Sequence, residues 1–188
     1  MLLENMAIDG NSDETTLELK GPVGHFTYAG NGQIQWRSNN RLRTVRRLAM
    51  IAGGSGITPI WSTLKAISDE SSSRQGNSVE VWLIYGNRQE SDILIRDELD
   101  HISRCMNGKL HIWYVLSSDQ LGADWRMGRG HIDLECLQQH LPPPPSVQIG
   151  TDLGDTLALV CGPPAMEASV SAGLQKLGWS VEQNIVFF

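Results

Sequence analysis

The sequence of 188 residues lacks the patterns that define metal sites, disulfide scaffolds and membrane-spanning helices. Its three cysteines, Cys105, Cys136 and Cys161, do not form a CxxC pair, which argues against a zinc site or a disulfide framework. The five histidines show no metal-binding spacing and no HExxH motif. No apolar run approaches the roughly 20 residues that cross a membrane. The sequence also lacks a G-x-S-x-G turn, so it gives no support for a hydrolase nucleophile. From the cysteine and histidine spacing and the short apolar runs, we predict neither a metal nor a membrane as a partner.

Charge and the first residues narrow the class of protein further. A net charge of −6 argues against general nucleic-acid binding. The basic cluster Arg41, Arg43, Arg46 and Arg47 fits a solvated strand entrance, or a site for a local anionic group. Met1–Asn5 has neither the basic start nor the apolar region of a secretory signal. We therefore expect a cytoplasmic protein that does not bind nucleic acid, with cysteines suited to a reducing compartment.

From residue 46 onward the sequence alternates between apolar strands and amphipathic helices. Strands are predicted at residues 46–52, 79–85, 110–116, 156–161 and 184–188. Helical spacing of apolar residues occupies most of the intervals, at residues 60–67, 93–102, 132–141 and 164–177. This alternation predicts an α/β fold with a doubly wound, mostly parallel five-stranded sheet that is covered on both faces.

The first 45 residues have a different pattern. Residues 1–16 combine a short helix-like stretch with a polar loop, and residues 17–28 indicate a strand, a turn and a strand. Ala29–Gly32 favours a hairpin turn that leads into a return strand at Gln33–Trp36. This segment is too short to close a barrel, so we predict that it is the last part of a partial antiparallel β-barrel. The predicted division is thus residues 1–45 and residues 46–188.

A glycine-rich turn follows the first strand of the predicted sheet. Leu48–Ala52 leads into Gly53–Gly56, after which Thr58 is a candidate helix N-cap and Pro59 a candidate first helical residue. A strand, a glycine turn and a helix N-terminus together offer backbone N–H groups to a phosphate. No lysine follows the glycines, and the spacing is not G-x-G-x-x-G, so neither standard nucleotide motif is present. Alone, the turn fits an unliganded connection equally well.

Two later strands also end in residues that could meet a ligand. In Gly86–Asp92, Arg88 could accept a ribose 2′-phosphate and Asp92 could bind a 2′-hydroxyl, but Asp92 fits equally well as a helix N-cap. In Cys161–Pro164, with Met166 behind it, a cysteine stands at a strand end beside Gly-Pro-Pro. Most such cysteines are simply buried apolar residues. Ligands of parallel sheets bind at the carboxyl ends of the strands, which is where all three loops lie.

These three loops, in this order, resemble the pyridine-nucleotide lobe of the ferredoxin-reductase-like flavoenzymes. The closer similarity is to the cytochrome b5 reductase branch, and within it to the C-terminal flavin–nicotinamide part of fungal assimilatory nitrate reductases. The motifs that carry the resemblance are Leu19–Tyr28, Met50–Pro59, Gly86–Leu94, His140–Pro142, Cys161–Met166 and the terminal Phe188.

The resemblance implies an NAD(P)H-dependent flavoprotein oxidoreductase. Hydride would pass from NADH or NADPH to FAD, and electrons would then pass to a cytochrome b5-like haem domain, as in nitrate reductase. A free-standing cytochrome b5 reductase-like enzyme and a non-catalytic nucleotide-binding fragment are the alternatives. Cys161 would lie beside the nicotinamide, whereas Asp92 favours NADH and Arg88 favours NADPH, so the preference stays open. The residues implied to bind cofactor are Gly53, Gly54, Ser55, Gly56, Thr58, Pro59, Asn87, Arg88, Asp92, Gly162, Pro163, Met166 and Phe188.

The sequence departs from the family in its flavin motifs. Neither the Arg-x-Tyr-(Ser/Thr)-x-(Ser/Thr) motif nor the Gly-Gly-x-Met-(Ser/Thr) motif that holds FAD in the family occurs here. The resemblance therefore implies that residues 1–45 are the end of a flavin-binding domain and that the FAD site is largely missing. We expect a truncated gene product, an internal start or a relic, with poor FAD affinity.

Overall fold

The computed structural model describes residues 26–36, 42–71, 79–119, 121–145 and 155–188. The predicted helix-like stretch, the first predicted strand and most of the Leu19–Tyr28 motif lie outside the described residues. Within them, the chain forms a small antiparallel sheet followed by a larger parallel sheet with helices on both faces.

The antiparallel sheet comprises three short strands, β1 (Phe26–Gly30), β2 (Gln33–Trp36) and β3 (Leu42–Thr44), in that order. The predicted hairpin turn is present, and Gly30, Asn31 and Gly32 all have positive φ, at 97°, 52° and 73°. Glycine and asparagine are the residues that adopt this left-handed backbone most readily. Glu70 attaches the hairpin to the rest of the protein, since its Oε2 accepts the Tyr28 hydroxyl at 2.9 Å and the Asn31 N–H at 3.0 Å.

The parallel sheet has the spatial order β7-β6-β5-β4-β8-β9. Its strands are β4 (Arg47–Gly53), β5 (Glu80–Asn87), β6 (Leu110–Leu116), β7 (Gly128–Arg129), β8 (Thr156–Cys161) and β9 (Ile185–Phe187). The five predicted strands are confirmed, and β7 adds a two-residue edge that has too few residues to show a strand period. The chain runs outward from β4 to β7 and returns to β8 on the other side of β4. The strand order therefore switches beside β4, where ligands of doubly wound sheets bind.

The central strand β4 shows why the sheet is buried on both faces. Leu48, Met50 and Ala52 belong to one hydrophobic core, whereas Ala49 and Ile51 belong to the other. Successive side chains of a strand point to opposite faces, so an unbroken apolar run supplies both cores. The run therefore specifies a strand covered by helices on each side.

The four helices of the described residues divide between the two faces as the doubly wound prediction requires. They are α1 (Ile57–Ser71), α2 (Arg96–Cys105), α3 (Leu134–His140) and α4 (Pro164–Lys176). Buried residues of α1 and α2, such as Ile60 and Leu99, pack into the first core. Leu137 of α3 and Val170 of α4 pack into the second. The sheet thus presents the carboxyl ends of its central strands, between these two layers, as its functional edge.

Candidate functional site

A cleft of about 650 Å³ opens at the carboxyl ends of β4, β5 and β6. We call it the polar cleft, because glycine and polar residues outnumber apolar ones among the residues that line it. Its lining residues are Gly53, Gly54, Ser55, Gly86, Asn87, Arg88, Ser91, Asp92, Leu94, Val115, Ser117, Gly130, His131, Ile132, Pro163 and Met166.

The glycine turn after β4 forms one wall of the polar cleft. Gly54 has φ of +53°, and a Cβ at this residue would meet nothing within 4 Å, so its Cα faces open space. A short 3₁₀ turn, Gly54–Gly56, leads directly into α1. The first N–H groups of a helix have no partner within the helix, so this wall suits an anionic group.

Three glycines of the turns after β4 and β8 let the two backbones pack against each other. A Cβ on Gly56 would lie 2.2 Å from the Cys161 carbonyl oxygen, and a Cβ on Gly53 would lie 2.5 Å from Met166 Sδ. A Cβ on Gly162 would similarly lie 2.4 Å from Met166 Cε. A side chain at Gly56 would force the two turns apart because it would meet backbone, whereas at Gly53 or Gly162 the Met166 side chain would have to move.

Thr58 does not cap the helix, and this prediction is wrong. Helix α1 begins one residue earlier, at Ile57, and the Thr58 hydroxyl donates to the Ser55 carbonyl oxygen at 3.0 Å. Pro59 lies within the first helical turn, where a missing N–H costs little, but it is not the first helical residue. The N-terminus of α1 is therefore formed by the glycine turn itself.

Asn87 is the polar side chain in the cleft that most clearly calls for a ligand. It is the last residue of β5, only 9% exposed, and it lines the polar cleft. Within the described residues, neither its amide nitrogen nor its amide oxygen makes a hydrogen bond of standard geometry, although the amide lies near the Tyr85 hydroxyl. A buried amide without partners costs about 1–3 kcal/mol, and a ligand that offers one donor and one acceptor would remove this cost.

Arg88 and Asp92 lie on the same side of the cleft but differ in their surroundings. The Asp92 carboxylate accepts the Gln89 N–H at 3.1 Å in a one-turn 3₁₀ segment, Glu90–Asp92. Gln89 is the N-cap of this turn, and Asp92, its third residue, completes a capping box with it. Helix α2 begins later, at Arg96, so the interpretation of Asp92 as its N-cap is wrong. The exposed Arg88 side chain lines the polar cleft, which leaves a cation and a carboxylate in reach of one ligand.

Cys161 is the last residue of β8, and its backbone and its thiol have different surroundings. Its carbonyl oxygen faces Gly56, and its side chain is partly buried against the first core. Burial, together with the negative charge of Glu167, raises the pKa of the Cys161 thiol. Glu167 is held close by the Gly162 N–H, which donates to its Oε1 at 3.1 Å. The thiol therefore stays protonated near neutral pH and is not an activated nucleophile.

A second cavity, which we call the aromatic groove, has a volume of about 720 Å³. It lies between the β1–β2 hairpin, helix α1 and strand β9. Phe26 and Phe188 meet there edge to face, with ring centroids 5.6 Å apart. Its lining residues are Phe26, Tyr28, Trp36, Pro59, Ser62, Thr63, Ala66, Val186, Phe187 and Phe188.

The structure brings together only part of the predicted site. Gly53, Gly54, Ser55, Asn87, Arg88, Asp92, Pro163 and Met166 line the polar cleft, whereas Pro59 and Phe188 line the aromatic groove. Gly56, Thr58, Cys161 and Gly162 line neither cavity; they lie at or next to the start of α1 and the end of β8.

Several cleft residues were missed by the sequence reasoning. Ser117 follows the third predicted strand, so the rule that ligands bind at carboxyl ends could have found it. Gly130 and His131 reach the cleft because β7 pairs with the end of β6. A two-residue strand carries no periodic signal, so nothing in the sequence could have placed these two residues.

The described residues contain neither a metal-binding cluster nor a membrane-spanning helix. In residues 26–36, 42–71, 79–119, 121–145 and 155–188, no group of three or more His, Cys, Asp or Glu side chains could hold a metal ion. No helix in this part of the chain has the length and apolar character needed to span a membrane.

Comparisons with known proteins agree with the fold. Residues 50–172 match the family model described as the oxidoreductase NAD-binding domain. The chain is 53% identical over 197 aligned residues to nitrate reductase (NADPH) of Mycosarcoma maydis, an alignment that covers 100% of this chain and 20% of that protein. It is 40% identical to nitrate reductase (NAD(P)H) of Hordeum vulgare, covering 92% of this chain and 18% of that protein.

A solved structure extends the similarity to three dimensions. The cytochrome b5 reductase domain of Ulva prolifera nitrate reductase superposes with a TM-score of 0.77 at 30% sequence identity. The superposition covers 90% of this chain and 59% of that one. The chain thus spans about a fifth of the length of the curated relatives it matches and somewhat more than half of this solved domain.

Proposed function

Because this chain belongs to the oxidoreductase NAD-binding domain family, we propose that it is the nicotinamide-nucleotide lobe of a flavin-dependent reductase. The predicted NAD-binding oxidoreductase lobe is confirmed by that membership. The finer proposal is that hydride passes from NADH or NADPH to FAD, and that the whole protein is a nitrate reductase. The observation that carries it is the polar cleft, where a glycine turn at a helix start faces an unpartnered buried amide.

Each wall of the cleft has a separate part in holding the dinucleotide. The turn Gly53–Ser55 would bind the diphosphate through backbone N–H groups and the positive end of α1. Asn87 would exchange hydrogen bonds with the nucleotide through both atoms of its amide. Arg88 and Asp92 would face the adenosine ribose, where the arginine favours a 2′-phosphate and the aspartate a free 2′-hydroxyl.

Cys161 would orient the nicotinamide without reacting covalently. Burial keeps its thiol neutral, and its backbone carbonyl packs closely against Gly56. The nicotinamide supplies the hydride when bound, and the residues of this chain supply its position and exclude water. Cys161 is then a residue on which the distance between the reacting rings depends, which is where small displacements reduce rates most.

The aromatic groove fits the ring system of a flavin but not its diphosphate. Its lining offers aromatic faces and apolar surface, but it contains no lysine or arginine side chain. We propose that the flavin ring approaches Pro59 and Phe188 at this groove, and that residues other than those lining it hold the FAD phosphates.

The division of the chain supports the same arrangement. The antiparallel sheet ends at Thr44 and the parallel sheet begins at Arg47. We propose that residues 1–45 belong to a flavin-binding β domain and that residues 46–188 form the dinucleotide lobe.

The electron acceptor beyond the flavin rests on the relatives. The named relatives are nitrate reductases, and the solved structure is a cytochrome b5 reductase domain of such a protein. We therefore propose a cytochrome b5-like haem domain as the electron acceptor and nitrate as the final substrate of the whole protein.

Binding is tested by isothermal titration of the purified chain with NADH and with NADPH. We expect saturable heat with at least one dinucleotide, and the ratio of the two dissociation constants gives the coenzyme preference. No heat with either one would contradict the proposal.

Catalysis requires the flavin to be restored. A fusion of this chain to the flavin-binding segment of the Mycosarcoma maydis relative should reduce ferricyanide with NAD(P)H. Binding without any ferricyanide reduction would favour the alternative, a non-catalytic nucleotide-binding fragment. In the active fusion, Cys161→Ser should slow flavin reduction in stopped flow more than it weakens dinucleotide binding.

A further inference from the structure

The Tyr85 hydroxyl connects two walls of the polar cleft from beneath. Tyr85 lies on β5 and is 0% exposed. Its hydroxyl donates to the Gly54 carbonyl oxygen at 3.0 Å and accepts the Leu94 N–H at 3.3 Å. Gly54 and Leu94 both line the cleft, although 40 positions separate them in the sequence. One buried hydroxyl therefore joins the glycine turn to the segment that follows β5.

The bond to Gly54 determines the direction of the next backbone N–H. The peptide unit that joins Gly54 to Ser55 is planar and trans, so its N–H points opposite to its C=O. Because the C=O points inward to Tyr85, the N–H of Ser55 points away from the interior. Ser55 is exposed and lines the cleft. Tyr85 thus holds a backbone donor toward the space where a phosphate would lie.

The Gly54 carbonyl oxygen has no free lone pair for a further hydrogen bond. Gly54 O also accepts the N–H of Ile57, so both of its lone pairs are in use. Gly54 has a positive φ, which a glycine leaves as easily as it enters. Without the Tyr85 hydroxyl, the Ile57 N–H alone would hold the Gly54 carbonyl oxygen, and the freedom of glycine would let this peptide reorient more readily.

The second bond restrains the opposite wall. Leu94 follows the short turn that carries Asp92, and it precedes Ile95, whose φ of 52° is uncommon for a branched side chain. The Leu94 N–H has its partner in Tyr85, which fixes this wall relative to the glycine turn. Burial raises the pKa of the Tyr85 hydroxyl, so it keeps the proton that it donates to Gly54.

We propose that Tyr85 is a positioning residue for dinucleotide binding. It sets the orientation of the Gly54–Ser55 peptide and the distance between that turn and the Leu94 wall, so that the Ser55 N–H is presented to a phosphate oxygen. The proposal rests on the proposed function of the cleft. In this proposal Tyr85 does not contact the ligand. It fixes the geometry of the backbone donor that does contact the ligand.

The test compares two substitutions that each remove one buried hydroxyl. Tyr85→Phe removes the hydroxyl that joins the walls. Tyr114→Phe is the matched control, because Tyr114 is 2% exposed, lies on the adjacent strand, and has its ring centroid 6.2 Å from that of Tyr85. The Tyr114 hydroxyl donates to Asp100 Oδ1 at 3.4 Å, and neither residue lines the polar cleft.

Three measurements on the whole chain separate positioning from general stability. Titration with NADH and NADPH should show a dissociation constant about tenfold higher for Tyr85→Phe and a change of less than about twofold for Tyr114→Phe. Amide hydrogen exchange, followed by NMR without ligand, should accelerate at Leu94 in Tyr85→Phe only. Dinucleotide should shift the Ser55 amide resonance in the unmodified chain and shift it less in Tyr85→Phe.

The outcomes distinguish this proposal from the one beneath it. If the unmodified chain binds dinucleotide and Tyr85→Phe binds equally well, the positioning role is wrong and the proposed function stands. If the two variants lose affinity equally, the loss reflects stability and the positioning role is wrong. If the unmodified chain binds no dinucleotide, both proposals fall.

Discussion

The polar cleft and the aromatic groove share one segment but are built by opposite means. Gly53–Ser55 lines the cleft, and Pro59, a few residues further on in α1, lines the groove. The cleft is made by turns at the ends of parallel strands, where backbone N–H groups are available. The groove is made by ring faces from an antiparallel hairpin and the last strand. Thus the start of one helix separates the surface that we propose for phosphates from the surface that we propose for the flavin ring.

The positions of the two cavities indicate where the proposed hydride donor and hydride acceptor would meet on this lobe. Cys161 ends β8 between the two surfaces, with Pro163 and Met166 on the cleft side. On the groove side, the Phe188 N–H donates to the carbonyl oxygen of Val160, the residue before Cys161, at 3.2 Å. A hydride donor in the cleft and an acceptor at the groove would therefore both approach the end of this strand.

The largest effect is expected where the separating turn is packed most closely. Gly56→Ala would place a Cβ 2.2 Å from the Cys161 carbonyl oxygen, a backbone atom that cannot move aside cheaply. We expect the free energy of unfolding in urea to fall by about 3 kcal/mol, as in severe overpacking. Dinucleotide binding should be lost as well, because the turns on both sides of the contact move.

A glycine outside both surfaces is the control for that substitution. A Cβ on Gly122 would meet nothing within 4 Å, so Gly122→Ala should leave stability and binding nearly unchanged. If Gly56→Ala is as stable as Gly122→Ala, the claim that the two turns pack closely at Gly56 is wrong.

The next effect separates function from stability within the cleft. Asn87→Leu replaces an amide that has no partner by an apolar group of similar size. The free energy of unfolding should stay equal or rise by about 1 kcal/mol, because a buried unsatisfied group is removed. The dissociation constant for NAD(P)H should increase about tenfold or more, because the ligand loses its partner.

Asn184→Leu serves as the comparison. Asn184 is 6% exposed but lies outside both cavities, so its replacement should leave binding unchanged. Loss of both stability and binding in Asn87→Leu would show that the amide is structural rather than a ligand contact.

A smaller effect tests whether the groove is truly separate from the cleft. Phe188→Ala removes the edge-to-face contact with Phe26, which should cost about 1 kcal/mol of unfolding free energy. Dinucleotide titration should be unchanged, because Phe188 does not line the cleft. A large loss of dinucleotide affinity would show that the groove and the cleft form one binding site.

The smallest effect is expected away from both surfaces. The ring of His140 stacks on Trp113 with centroids 3.9 Å apart, and burial lowers the pKa of His140. The unfolded chain then binds the proton more readily, so unfolding free energy should decrease as the pH falls through the usual histidine range near about 6.5. Urea melts at several pH values should show this decrease in the native chain, and His140→Gln should lack it. Cleft and groove properties should not change.

Much of the fold could be predicted because its signals are local. The apolar run Leu48–Ala52 indicates a doubly buried strand, and helical spacing marks Ile60 and Leu64 as core residues. The strand ends were less certain, since β5 continues through Gly86 and Asn87. The cap predicted at Thr58 failed because its hydroxyl donates to a carbonyl instead of accepting an N–H, and the one at Asp92 failed because α2 begins only at Arg96.

The sequence by itself determined the alternation of strands and helices, the glycine turn and the family of the lobe. Only the tertiary structure decided that Phe188 faces a groove rather than the cleft, that His131 reaches the cleft, and that Tyr85 joins two walls. The physical reason is that strand period and turn chemistry act over a few residues, whereas the order β6-β5-β4-β8 brings together groups far apart in the chain. A hydroxyl shared by Gly54 and Leu94 exists only once that order has formed.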